Sequence, residues 1–426
     1  MSIIDAQVRP ATPPRGPAHR PPWEQLGPPP HAPVRAAIAE RAFRYAVRSL
    51  PVRIALAGGE RFGKGEAGSP LMRVHRPAAF FHRLGHDGKI GFGEAYLAGD
   101  WTSPEPAELL TPFAARMADL VPRPLQAFRG FVDAKKPEGE RNTERGAREN
   151  IRRHYDFSNA FFASFLDPAM TYSGAPLRHG GDLAEAQNRK LAAILDLAGV
   201  RQGTRLLEIG TGWGSLAAMA AGRGAHVTTL TLSAEQRKLA GQRVAGDGLA
   251  DRVDVRLRDY RDEHGRYDAV VSVEMIEAVG AQYWPVFFRQ LDRLLLPGGR
   301  AAVQAITMPH DRLLPTRESQ TWIHKYVFPG GQLPSVKVIE RNVAANTGMT
   351  LVERRAFGSG YAETLRQWRQ RLNTNWPEYW AGNGLPGTDG ELPRRMWEFY
   401  LAYSEAGFRS GYLDVWQFGL HKPATR

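Results

Sequence analysis

Between residues 204 and 307, short apolar runs alternate with helical patterns. The runs are "TRLLEIG", "HVTTLTL", "VDVRLRDY", "YDAVVSVE" and "RAAVQAIT". Strands spaced by helices in this way predict a parallel sheet with helices on both faces, an α/β doubly wound fold. "MTLVERRAFG" and "LDVWQFGLHKP" read as two further strands, and no internal repeat of fixed period is present. In such a fold, ligands bind beyond the carboxyl ends of the strands, so the residues there are the first candidates for function.

The first strand runs into "LLEIGTGWGS", which then opens a helix. Gly210, Gly212 and Gly214 allow a tight turn and a close backbone approach to a ligand. A GxGxG shape alone discriminates little, because dinucleotide and phosphate sites use relatives of it. Glu208 lies two residues before the first glycine, the GxGxxG spacing is missing, and no GK[ST] follows. The pattern E-x-G-x-G is similar to motif I of class I S-adenosylmethionine-dependent methyltransferases, against the plainer reading of a ligand-free turn. The second strand ends in "TLSAEQ", where Thr231, Ser233 and Gln236 can hydrogen-bond without charge. At the third strand end, the Asp259 carboxylate could take the adenine amine and the Tyr260 ring could pack on the base. Ordinary polar strand ends are the competing reading.

The flanking segments set the domain plan. Residues 1–34 are dense in proline and read as a disordered tail. Residues 35–132 mix helix and strand into a small α+β domain, and 133–150, almost free of apolar residues, read as a charged linker. The methyltransferase-like domain fills 151–426. The chain has no cysteine, which excludes disulfides, thiolate-bound zinc and a cysteine nucleophile, and is compatible with a reducing cytoplasm. A net charge of +12 favours anionic partners such as a membrane surface, nucleic acid or acidic substrates. No apolar run approaches the ~20 residues of a membrane helix, and the arginines near the start precede no apolar core, so membrane contact should be peripheral.

The fourth strand ends in "SVEMIEAVG", two acids at the mouth of an apolar strand. Glu274, near the expected cofactor edge, reads as a capping or solvent-facing group, and Glu277 lies three residues on. Several ordered stretches together resemble the cyclopropane-fatty-acid synthase family, which includes the mycolic acid cyclopropane synthases. They are "RRHYDFSNAFFASFLDPAMTYSGA", "LLEIGTGWGS", "TLSAEQ", "VVSVEMIEAVG", "WIHKYVFPGGQLPSV", "GSGYAETLRQW" and "AYSEAGFRSGYLDVWQFGL". The likeness spans about 150–420, with "IGFGEAYLAGDW" extending it more weakly toward the N-terminus.

The resemblance implies a methyltransferase fold with helical acyl-binding inserts. It implies S-adenosylmethionine held by Tyr172, Ser173, Glu208, Gly210, Thr211, Gly212, Gly214, Thr231, Leu232, Ser233, Gln236, Tyr260 and Arg261, beside the Asp259 read from the strand end. It also implies a bicarbonate ion held by Gly174, Glu277, Gln304, Ile306 and Tyr361, and no metal. Gly174 stands where the family usually has cysteine, Gln304 where it has histidine, and Ala278 where a histidine often follows the glutamate. Phe161, Phe162, Trp322, Tyr326 and Phe328 either line an acyl channel or belong to the core.

The implied reaction moves a one-carbon unit onto a cis double bond of a phospholipid acyl chain. An alkene attacks a sulfonium methyl only with water excluded and the partners aligned. The resulting cation must lose a proton, so a base is needed in an apolar pocket. Proton loss with ring closure gives a cyclopropane; a hydride shift first gives a methylene branch, which a separate reductase would convert to methyl. "EMIEAVG" with Gln304 resembles the actinobacterial branch of tuberculostearic acid methyltransferases, which favours the methylene product. Two other readings compete. A methyltransferase for RNA or a small molecule fits the charge but lacks an [ND]PP[YF] motif, so no nucleic acid is expected. A non-catalytic lipid-binding subunit is opposed by the intact glycine turn. The N-terminal domain is expected to handle lipid or pack a homodimer.

Overall fold

The computed structural model describes residues 22–117, 136–137, 142–143, 146, 149–150, 158–384 and 388–424. A small N-terminal sheet holds β1 (Arg53–Leu56), β2 (Arg61–Phe62), β3 (Leu71–Val74) and β4 (Trp101–Thr102) in the order β2-β1-β3-β4. Within "VRIALAGGERFG", a Gly-Gly turn joins the antiparallel pair β1 and β2.

The large sheet contains β5 (Arg205–Ile209), β6 (His226–Thr231), β7 (Val253–Leu257), β8 (Tyr267–Val273), β9 (Leu295–Thr307), β10 (Thr350–Ala356) and β11 (Asp414–His421). Their order is β10-β11-β9-β8-β5-β6-β7. The pairs among β5 to β9 are parallel, as the alternation predicts. β11 enters between β9 and β10, antiparallel to both. The central strands are apolar because both faces are covered. On one face the Trp284–Leu294 helix buries Phe287, Phe288, Leu291 and Leu294, a stripe of helical period. On the other, Leu191, Ile194 and Leu195 pack with Ala217 and Ala220. Each such large side chain removed from water stabilises the fold by about 1.5–3 kcal/mol.

From β5 the chain goes to β6 on one side, and β8 lies on the other. This switch opens a crevice at the carboxyl ends, where Ile209 pairs with Ser272. The glycine turn and Glu274 leave adjacent strands there.

A third, aromatic core joins the N-terminal segment to the helices Gly358–Asn383 and Glu391–Arg409, and includes Phe80, Trp101, Phe161, Trp368 and Trp397. The boundary near 132 therefore separates the two sheets but not the cores. Two expectations need correction. Residues 22–34 are not tail: Trp23 and Leu26 pack on this core, the Ala32 N–H donates to His82 Nδ1 (2.9 Å), and Arg83 donates to the Gly27 carbonyl (2.8 Å). Pro33 then begins the Pro33–Val47 helix, where a missing N–H costs nothing. Residues 1–21 and most of the proposed linker lie outside the described residues, but Asn142 and Asn150 are buried, and Asn142 donates to the Gly330 carbonyl (2.8 Å). Trp322 and Tyr326 serve as core: Trp322 packs on Phe399, and the Tyr326 hydroxyl donates to the buried Glu94 (2.8 Å). Phe161 and Phe162 are buried against Trp397, and Phe328 lies against Tyr400.

Candidate active site

All three turn glycines have positive φ (103°, 52° and 88° for Gly210, Gly212 and Gly214), which a side chain would strain. The N–H groups of Gly210 and Thr211 both donate to the Leu230 carbonyl, tying the turn to β6. A side chain at Gly212 would meet nothing within 4 Å, so the turn faces open space. Glu208 is buried, its Oε2 is 2.6 Å from the Thr229 hydroxyl, and burial pushes its carboxyl up to about 8. It is therefore largely neutral at pH 7.

The expected contacts on the next strands are partly used up internally. Thr231 donates to Gln236 Oε1 (2.8 Å) and accepts from the Ser233 N–H (3.0 Å), while Ser233 caps the Ala234–Gly246 helix. Leu232 is half-buried beside them. Asp259 accepts from Arg261 Nε on one oxygen (2.9 Å) and Nη2 on the other (2.6 Å), so the structure pairs it with its neighbour rather than leaving it free. Tyr260 is buried with its hydroxyl unpartnered by protein. That orphan hydroxyl and the open face of Gly212 fit a bound nucleoside at this edge.

The second part of the site gathers around Glu274. Its N–H donates to the Gln304 carbonyl (2.9 Å), extending the β8–β9 ladder by one residue. Its φ of +48° then turns the side chain out of the strand; besides Glu274, only Met170 among described non-glycine residues has positive φ. Glu274 Oε1 accepts from the Gly174 N–H (2.9 Å) and from Gln304 Nε2 (2.8 Å), and Oε2 accepts from the Tyr361 hydroxyl (2.8 Å). Glu274 is half-buried as a residue but its carboxyl lies inside; burial raises its pKa, opposed by Lys190 and by these donors. The expectation of a solvent-facing cap at Glu274 is thus overturned.

Glu277 is one helical turn on, in the short Ile276–Val279 helix. Its Oε1 accepts from the Ile306 N–H (2.6 Å), and its buried Oε2 has no protein partner. Burial first, and then the Glu274 charge, push it up to about 8. Two carboxyls this coupled titrate as a pair.

Glycines bring the remaining parts together. A Cβ on Gly360 would fall 2.6 Å from the Leu177 nitrogen, so the 173–177 segment lies directly on the Gly358–Asn383 helix. A Cβ on Gly174 would fall 2.3 Å from Tyr361 Cδ1, so the Tyr361 ring lies flat against backbone there. Phe408 stacks on the other side of that ring at 4.4 Å. Tyr172 donates its hydroxyl to Tyr400 (3.3 Å). Ser173 accepts from Lys190 Nζ (2.5 Å).

Lys190, Gln187 and Gln417 were not singled out from the sequence. Lys190 is 1 % exposed, and burial pushes its ammonium down to about 8 against the pull of Glu274 and Asp167. Gln187 donates to the Ser173 carbonyl (2.8 Å), and Gln417 donates to Gln304 Oε1 (3.1 Å), which aims the Gln304 amide at Glu274. A signal existed: Leu183, Ala186, Gln187, Lys190, Leu191 and Ile194 share the buried stripe of one helix, so two polar side chains there had to meet polar partners.

The five residues assigned to bicarbonate do converge, but not around a vacant anion. Gly174, Gln304 and Tyr361 donate to Glu274, and Ile306 donates to Glu277. The donors are committed to protein carboxylates, so the residues present do not fit a separate ion.

Residues 142–418 match the family model for mycolic acid cyclopropane synthetase. The chain is 49% identical over 92% of its length to the tuberculostearic acid methyltransferase UfaA1 of Mycobacterium tuberculosis, covering 92% of that protein. It is 33% identical to the cyclopropane-fatty-acyl-phospholipid synthase of Escherichia coli K12, covering 81% of this chain and 86% of the relative. Among solved structures, the cyclopropane synthase MmaA2 of M. tuberculosis aligns with a TM-score of 0.59 at 31% identity, over 65% of this chain and 98% of that one. The mycolic acid cyclopropane synthase CmaA1, complexed with SAH and CTAB, aligns with a TM-score of 0.58 at 30% identity, over 67% and 99%. With its class I sheet, glycine turn and carboxylate cluster, the chain belongs to the mycolic acid cyclopropane synthetase family and is an S-adenosylmethionine-dependent methyltransferase.

Proposed function

We propose that this enzyme transfers a one-carbon unit from S-adenosylmethionine to the cis double bond of an unsaturated acyl chain carried by a phospholipid, and that the product is a methylene-branched chain of the 10-methylene type. The observation that carries this reading is the Glu274–Glu277 pair, set beside the glycine turn and closed in by aromatic side chains. A substrate whose intermediate is a cation on hydrocarbon needs an anionic group in water-poor surroundings. The relative named for tuberculostearic acid supports the branched product.

The sulfonium supplies an electrophilic methyl group, for which Tyr172, Ser173, the 208–214 turn and the strand ends at Thr231–Gln236 and Asp259–Arg261 are the proposed binding residues. The alkene π pair forms the new carbon–carbon bond, and the pair of the broken carbon–sulfur bond stays on sulfur. Positive charge is left on the neighbouring chain carbon. A hydride shift moves it to the methylated carbon, and loss of a methyl proton places the C–H pair in an exocyclic double bond. The aromatic walls exclude the water that would capture the cation.

A second reading is a cyclopropane ring, formed when the proton leaves before any hydride shift; the 33% identical cyclopropane synthase supports it. The two products have equal mass, so lipids of a host expressing the chain are examined by fragmentation or NMR. An exocyclic methylene signal is expected, and a cyclopropane as sole product would overturn the preferred reading. The methylene product would need a separate reductase to become a methyl branch.

The lipid substrate also implies work at an anionic membrane surface. No described helix is long and apolar enough to cross a membrane. The exposed Val34 and Ile38 beside the exposed Arg35 and Arg41, in a chain of net charge +12, support peripheral attachment at the cytoplasmic face.

A further inference from the structure

Resting on the reading above, we propose that the Glu274 carboxylate is itself the base that takes the proton from the cationic acyl chain, so that turnover requires no bicarbonate. Four observations converge on it. The backbone at Glu274 is held at φ +48°, a conformation that costs a non-glycine residue energy and persists at functional sites. Three donors from three separate segments aim at its two oxygens: the Gly174 N–H, the Gln304 amide and the Tyr361 hydroxyl. The Gln304 amide is itself oriented by Gln417, so the cluster is built in depth. The carboxylate leaves β8 beside the glycine turn that leaves β5.

The hydrogen bonds also divide the roles of the two acids. Three donors favour an ionised Glu274. Glu277 has one donor and a bare buried oxygen, which favours its neutral form. Oε1 of Glu274 is filled by two donors, whereas Oε2 accepts only from Tyr361 and keeps a lone pair free. In the step, the C–H bond of the transferred methyl breaks, its electron pair forms the carbon–carbon bond of the product, and the proton goes to Oε2. The cation is so strong an acid that placement, more than basicity, decides which group receives the proton. The proton returns to solvent before the next turnover. Gln304 then serves as a positioning residue: as an amide it holds Glu274 without competing for the proton.

Substitution of Glu274 tests this, because glycine suits the backbone there and leaves room for a small anion. Full-length enzyme, S-adenosylmethionine and vesicles of an oleoyl phospholipid are incubated in CO2-free buffer, with or without added bicarbonate. The wild type should turn over equally in both. Glu274→Gly should lose about 100-fold or more in turnover, the usual scale for a lost general base. It should still bind S-adenosylmethionine by calorimetry, and bicarbonate or formate should restore part of its activity. Glu274→Gln, which fills the space without a base, should be equally impaired and not restored. A wild type active only with bicarbonate overturns the inference and leaves the reaction class standing, as does a Glu274→Gly variant active without added anion. A wild type that alkylates no lipid in either buffer overturns the function on which the inference rests.

Discussion

The contact between Gly174 and Tyr361 makes the most exacting prediction. Alanine at 174 would place a Cβ 2.3 Å from Tyr361 Cδ1, 2.4 Å from Cγ and 2.7 Å from Cε1. Carbon atoms rest at about 3.5–4.0 Å, so the ring must retreat by about 1–1.5 Å. Phe408, stacked at 4.4 Å, and Trp368, at 6.3 Å, stand behind it. A retreat of that size stretches the 2.8 Å bond from the Tyr361 hydroxyl to Glu274 beyond hydrogen-bond reach. A hydrogen bond to a charged group contributes about 1.5–3 kcal/mol. If that energy bears on the reacting state, kcat falls by about 10- to 150-fold. Overpacking should also cost about 1–3 kcal/mol of stability.

The assay is turnover on phospholipid vesicles and urea unfolding for Gly174→Ala, Tyr361→Phe and the double variant. Because the alanine acts through the hydroxyl, its effect on kcat should largely vanish once that hydroxyl is gone, while its stability cost persists. Wild-type kcat and stability in Gly174→Ala would refute the reasoning. Simple additivity of the two kcat effects would show that glycine matters for another reason. Any side chain at this position meets the Tyr361 ring.

Glu277→Gln mimics a protonated carboxyl, so turnover at pH 7 should stay within about tenfold of the wild type; a loss as large as that of Glu274→Gln would refute the division of roles. Glu208 titrates at about 8 in the folded chain, above the unfolded value of about 4.3, so the native state keeps a proton that the unfolded chain releases. Its contribution is full below about pH 4 and is lost as pH rises through about 8, so stability should decline from pH 5 to 8, and Glu208→Gln should flatten that decline in urea titrations; an unchanged slope counts against it. Glu405 is fully buried between Arg369 (3.1 Å) and Arg409 (3.0 Å). Glu405→Leu leaves Arg369 buried with only the more distant Glu105, and should cost about 3 kcal/mol in unfolding free energy, whereas a loss below about 1 kcal/mol would show the pair to be dispensable.

The sheet was legible because its signal is local: apolar runs of strand length recur at helix-length intervals, and both faces of β5 and β8 are covered as those runs require. The glycine turn was legible for the same reason, since three positive-φ positions within five residues leave a compositional mark. The roles of the two acids were not. Glu274 and Glu277 are three residues apart, and nothing in "SVEMIEAVG" distinguishes a strand cap from a carboxylate that collects three donors. Those donors come from residues 174, 304 and 361, brought together by β-sheet register and by glycine-permitted contact at 360, neither of which is written near residue 274. The tail was misjudged in the opposite direction, because proline density outweighed Trp23 and Leu26, two apolar anchors that fasten residues 22–34 to the core. Lys190 shows where long-range chemistry does surface in sequence. An ammonium on the apolar stripe of an amphipathic helix cannot be solvated there, so it announces a buried polar partner even when the partner's identity is hidden. The departures at positions 174 and 304 belong together on this physics. Glycine lets Tyr361 approach, glutamine donates an amide N–H that does not titrate, and both serve the carboxylate that the chain supplies at Glu274.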